Sequence, residues 1–147
     1  MKSNSVAKAF TIAAVTALAL GAAPTAKAQT VCSNLTLKGT WAEKDTGFII
    51  GLGPFAGVSL KTFDGHGNTA GSGYSSVNGA VSQGSYSGTY TVNPDCTGTY
   101  TIQISGGPTG HAFFVIDDGG NELRIIVTDQ GNVTTCVARR LFPGLAI

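Results

Sequence analysis

The fold class this sequence predicts is all-β, a single antiparallel up-and-down barrel of about eight strands. Three observations point to it. Runs of alternating polar and β-branched or aromatic residues recur at intervals of 8 to 14 residues after position 30, with a tight-turn signal between nearly every pair. No apolar i, i+3, i+4, i+7 series is sustained there, because Gly, Thr and Ser interrupt every few residues, so helix is hard to place. A meander this long has two exposed edges unless its first strand closes on its last, which favours a barrel over the alternative, a two-sheet β-sandwich.

Residues 1–28 stand apart from the fold. Lys2 and Lys8 form a basic start, Val6 to Ala23 is an apolar run, and Ala26-Lys27-Ala28 is the small-x-small pattern of a cleavage site, so this segment reads as a secretory signal peptide cut after Ala28. Cys32 follows Gln29-Thr30-Val31, which is not a lipoprotein signature. The expectation is an exported protein, periplasmic or extracellular, with residues 29–147 as one β-barrel domain. Setting aside Lys2, Lys8 and Lys27 leaves six Lys and Arg against eight Asp and Glu, a net charge of −2. That balance argues against nucleic acid, which needs a basic face. No second apolar run is long enough to span a bilayer.

Taken in order, the strand runs are Leu35 to Glu43 with the only tryptophan, Trp41, then Thr46 to Gly53, Ala56 to Phe63 and the thin, Gly/Ser-rich Asn68 to Val77. Asp64-Gly65-His66-Gly67-Asn68 turns the chain before that thin run, and Asn78-Gly79, the strongest two-residue hairpin signal, turns it after. Within Gly84 to Ile104, Ser87 to Val92 and Thr97 to Ile104 flank a turn at Asn93-Pro94-Asp95. Proline fixes φ there, and Asn and Asp fold back onto the backbone. His111 to Ile116, Leu123 to Thr128 and Val133 to Leu141 complete the set, joined by turns at 117–121 and 129–132.

Barrel topology sends alternate turns to opposite ends. With the start of the first strand at the bottom, the turns at Asp64 to Asn68, Asn93 to Cys96 and Asp117 to Asn121 are also at the bottom, so Cys32 and Cys96 share a rim. Cys136 sits in a strand descending from the top. The predicted disulfide is therefore Cys32 to Cys96, with Cys136 left as a thiol, in an exported chain where such bonds persist. Closing a loop of roughly 65 residues, it stabilises by roughly 4 kcal/mol in the chain-entropy model.

At Leu37-Lys38-Gly39-Thr40-Trp41, Phe63-Asp64-Gly65-His66-Gly67-Asn68 and Gly88 through Thr99, the chain resembles a group of small exported bacterial proteins, themselves similar to the allene oxide cyclase and dirigent barrels. The resemblance covers most of residues 31–141 and rests on structural turns. It implies a barrel whose interior can hold a small apolar molecule. None of the cyclase's catalytic residues is carried over to a position here.

Local motifs give little chemistry. Gly51-Leu52-Gly53-Pro54-Phe55-Ala56 fits a dinucleotide pattern, but proline and a strand follow it instead of a helix. Asp64-x-His66-x-Asn68 opens like a calcium loop, but Ser75 stands where a closing Glu is needed. His66 and His111, the only histidines, fall at opposite ends, roughly 20 to 25 Å apart, too far for a shared metal. A Ser-His-acid triad lacks its G-x-S-x-G elbow. Asp117 and Asp118 read as solvated turn residues, and the sequons at Asn34 and Asn132 as accidents of a bacterial chain. No cofactor and no metal site is expected, and the sequence sets no oligomeric state.

The candidate ligand cavity is drawn from inward strand positions and the paired arginines: Trp41, Phe63, Tyr90, Tyr100, Phe114, Ile125, Arg139 and Arg140. Period-2 spacing puts Tyr86 with Tyr90, and Tyr100 with Ile102, on common faces, and Arg139 and Arg140 on opposite ones, so that one of the two faces the interior or its rim. The small residues Gly71, Gly73, Ser75, Gly84 and Gly88 leave room inside. The leading expectation is a binder of a small apolar or amphipathic ligand, without catalysis. A cyclase or isomerase is the alternative and requires polar side chains converging in a roomy cavity. A non-catalytic interaction module would have a filled barrel and an exposed apolar patch.

Overall fold

The computed structural model describes residues 31–142, and residues 1–28, which the sequence suggests as a signal peptide, lie outside them. Eight antiparallel strands follow one another around a closed barrel, β1 Gly39–Ile49, β2 Gly53–Phe63, β3 Asn68–Val77, β4 Ala80–Val92, β5 Thr97–Ile104, β6 Thr109–Asp117, β7 Glu122–Val127 and β8 Asn132–Arg140. Closure is made by β1 on β8, running from Trp41 opposite Arg140 to Ile49 opposite Asn132. The expected barrel is therefore the observed one, and the two-sheet sandwich is not.

The turns act as their residues dictate. Asn78 and Gly79 both take positive φ, 48° and 87°, as a two-residue hairpin of this type requires. Asp64 accepts from the backbone N–H of His66 at 2.7 Å and of Asn68 at 3.0 Å, and from the Asn68 side-chain amide at 2.6 Å. Its oxygens are thus engaged in holding the bend. Asp117 and Asp118 likewise form an exposed turn, with Asp117 paired to Arg124 at 2.8 Å.

The first two strand runs need correction. Asn34–Leu37 is a short 3-10 turn, and β1 begins only at Gly39. Ser33 and Thr36 bond to each other reciprocally at its start, which favours a local turn over extension. Thr46 to Gly53 is split between the end of β1, a turn and the start of β2, and Gly51, at φ 85°, turns the chain into β2.

That 3-10 turn is the floor of the barrel. Leu37 is fully buried, and its carbonyl accepts from Trp41 Nε1 at 2.9 Å. Asn34 is held by Tyr90, whose hydroxyl donates to the Asn34 carbonyl at 3.0 Å, and by Val92 N–H, which donates to Asn34 Oδ1 at 2.8 Å. Above it Trp41, Phe63 and Tyr90 meet edge to face, with centroids 6.0 Å and 4.8 Å apart. Gly98 lets Phe114 lie against bare backbone, since a Cβ there would stand 2.3 Å from the ring. Cys32 and Cys96 form the disulfide that fastens the segment before the floor to the β4–β5 turn, and Cys136 is a free, buried thiol.

Replacing both Cys32 and Cys96 by Ser is expected to lower unfolding free energy by about 2–5 kcal/mol, read as a shifted denaturant midpoint; an unchanged midpoint would show that the clamp is idle. The hydrogen bonds to Asp64 hold its carboxyl at about 2, below its ordinary 3.8. A lowered carboxyl stabilises the fold above its unfolded pKa and loses that contribution as pH falls through the folded value. The gap in melting temperature between the native chain and Asp64→Asn, which keeps the acceptor oxygen and drops the charge, is therefore expected to narrow as pH falls from about 4 to about 2.

Candidate functional site

The barrel has two storeys. Aromatic and aliphatic side chains fill the lower half, and the upper half holds a cavity of about 450 Å³ that opens at the rim carrying the β5–β6 and β7–β8 turns. Gly73, Ser75 and Gly84 on β3 and β4 line it, so the small residues expected to leave room do so at these three positions. Gly71 differs: the Tyr86 ring occupies the space where its Cβ would be, at 2.4 Å.

Between the storeys lies a polar layer. Trp41, Glu43 and Asp45 share a face of β1, and Phe63, Lys61 and Ser59 share a face of β2, so strand alternation that buries the aromatics carries these polar side chains inward. Lys61 is fully buried and donates to Glu43 Oε2 at 2.5 Å. Its ammonium lies 4.2 Å from the Tyr100 ring centroid and 5.4 Å from that of Tyr86, close enough for both ring faces to stabilise the charge. The Tyr86 hydroxyl reaches across Gly71 to Ser59 Oγ at 3.2 Å. Asp45 Oδ1 is buried and has no hydrogen-bond partner among the described residues.

Burial dominates the electrostatics. It pushes the Glu43 carboxyl above its ordinary value; the Lys61 ammonium pulls it back and the Asp45 charge adds to the rise. Folding therefore favours the protonated form of Glu43, a contribution present below about 4.5 and lost as pH climbs through the raised value. The phenols of Tyr86 and Tyr100 and the thiol of Cys136 are also pushed up, mainly by burial and further by the carboxylates, so all three stay protonated as donors. At the upper rim His111 Nδ1 lies 2.7 Å from Asp129 Oδ1, while His66 sits in the lower β2–β3 turn. Among the described residues no group of three or more His, Cys, Asp or Glu is placed to hold a metal.

Of the eight expected cavity residues, Tyr100 lines the cavity. Trp41, Phe63, Tyr90, Phe114 and Ile125 are buried in the core cluster and do not line it. Arg139 lies on the outer wall, 2.8 Å from Glu122. Arg140 is on the lower rim, where its guanidinium donates to the carbonyls of Thr36 at 2.6 Å, Gly120 at 3.1 Å and Lys38, and lies 4.4 Å from the Trp41 ring centroid. The opposite facing of the two arginines is as expected, but the inner one locks the floor and does not meet the cavity. Sequence reasoning passed over Glu43, Asp45, Ser59, Lys61 and Tyr86. Their shared parity with Trp41, Phe63 and Tyr90 was the signal that could have found them.

Comparison with protein-family models, curated proteins and solved structures finds no match. The site must be read from its own geometry.

Lys61→Met is expected to lower stability by about 3–5 kcal/mol, because Glu43 is left buried without its counter-ion. Adding Glu43→Gln should recover at least half of that loss. Denaturant midpoints of the two single variants and the double measure the coupling, and a double variant no more stable than Lys61→Met would deny that the pair acts as a unit.

Proposed function

We propose that this protein is an exported barrel that takes up a small amphipathic molecule through its upper mouth, with the apolar part in the shaft and a polar group on the layer formed by Glu43, Asp45, Tyr86 and Tyr100. The observation that carries this reading is a cavity of about 450 Å³, within the range of small-ligand sites, that opens at one rim of the barrel. Ile102, Ile104, Phe55 and Val127 supply apolar wall. Export draws support from the Cys32–Cys96 bond, since disulfides persist in oxidising compartments, and from the signal-like residues 1–28. Among the described residues no helix is long and apolar enough to cross a membrane.

A second reading, a cyclase or isomerase like the allene oxide cyclase barrels, is favoured by one feature. Glu43 carries a raised carboxyl beside a second acid, Asp45, and two protonated phenols stand nearby, which is a proton donor and acceptor set inside an apolar cavity. An interaction module would have a filled barrel, which the open upper half does not match, although Val58, Leu60, Ile126 and Val137 stand exposed on the outer wall.

Native mass spectrometry of the protein from its producing cells should find a co-purifying small molecule, and the neutral apolar dye N-phenyl-1-naphthylamine should gain fluorescence on binding. Gly84→Trp places a large ring where a Cβ meets nothing within 4 Å. It should weaken dye binding about tenfold or more with little change in melting temperature, which by affinity arithmetic is about 1.4 kcal/mol. Dye binding that ignores the Trp would place the ligand elsewhere.

A further inference from the structure

The proposed cavity is not electrically even. Its lining includes the carboxylates of Glu43, Asp45 and Asp129 and no Lys or Arg. The one cation of the polar layer, Lys61, is committed to Glu43 at 2.5 Å and boxed in by the Tyr86 and Tyr100 rings. Asp129 has the His111 ring at 2.7 Å, out at the rim. Asp45 has no counter-ion: it makes no ion pair within 4 Å, and its Oδ1 is buried without a hydrogen-bond partner. Its other oxygen lies toward Gly57, 2.8 Å from where a Cβ would stand, so the absence of a side chain there is what admits the carboxylate to the interior. Beside it stand the Cys136 thiol, a weak S–H donor, and the Glu43 carboxyl, which is committed to Lys61.

A buried carboxylate oxygen left unpaired is costly, and chains normally satisfy it with a donor or a cation. Asp45 is one of the residues lining the cavity, where no Lys or Arg faces it. The group that would satisfy it must reach down an apolar shaft, present N–H donors and carry positive charge, and a primary ammonium at the end of a hydrocarbon body does all three. An anionic head would meet three carboxylates and find no free cation.

We infer that the ligand is a cationic amphiphile, a primary alkyl or arylalkyl amine whose ammonium pairs with Asp45 at the base of the cavity. This rests on the cavity reading above and narrows it to one ligand class. Isothermal titration calorimetry with the intact exported protein, using decylamine, decanol and decanoate as probes of equal chain length, tests it at neutral pH. Decylamine is expected to bind at least tenfold tighter than decanol, with decanoate weakest, and Asp45→Asn should abolish the advantage of the amine over the alcohol while melting at the same temperature or higher. Decanol or decanoate binding as tightly as decylamine would overturn the inference and leave the cavity reading standing. A preference for the amine that survives in Asp45→Asn would overturn the assignment to Asp45. No binding of any of the three would overturn both readings together. The ranking on the native protein decides the charge preference even if the variant does not fold.

Discussion

A lysine with no exposed surface must find its counter-ion inside the protein, and in this barrel the pairing of Lys61 with Glu43 fixes where the packed core ends and the cavity begins. The two residues come from neighbouring strands, β1 and β2, and the ring faces of Tyr100 and Tyr86 complete the enclosure. Below them the inward positions are mostly apolar, and buried Thr69 donates its hydroxyl to the Thr62 carbonyl. Above them the inward positions of β3 and β4 shrink to glycine and serine, and space opens. An ion pair of this kind is poor evidence of stability compared with apolar residues of equal volume. Its value lies in the chemistry it leaves on the cavity base.

The lower end explains how such a layer is tolerated. The 3-10 turn at Asn34–Leu37, the disulfide and the Arg140 guanidinium seal one mouth below the polar layer. Arg140 is satisfied by three backbone carbonyls and the Trp41 ring, an arrangement in which the charge serves to tie three chain segments together. Sealing one end of an eight-stranded barrel and lining the other with small residues turns a shape that side chains could fill into one with room for a guest.

The architecture was legible from the sequence because turn chemistry is local. Asn78-Gly79 and Asn93-Pro94-Asp95 declare their bends without reference to the rest of the chain, and counting strands between cysteines places Cys32 beside Cys96. The 3-10 turn was missed because Leu35 and Leu37 alternate as a strand would, while the competing bonds between Ser33 and Thr36 are a matter of side-chain geometry. The site was only partly legible. Attention to large apolar residues picked out the packed half of the barrel, since aromatic side chains fill space; the cavity lies where side chains are small and where charged residues ride inward on the same alternation as Trp41 and Phe63. Which of the inward polar groups lacks a partner depends on three-dimensional distances that spacing does not encode.

An even number of strands returns the chain to the end from which it set out. Val31 precedes the sealed floor, and Phe142 follows β8 just beyond Arg140, which stands opposite Trp41 at the start of β1. Both ends of the described segment therefore emerge at the closed pole. A tether, tag or solid support attached through either one would leave the entrance facing away from the anchoring surface, unobstructed and able to sample the surrounding solution.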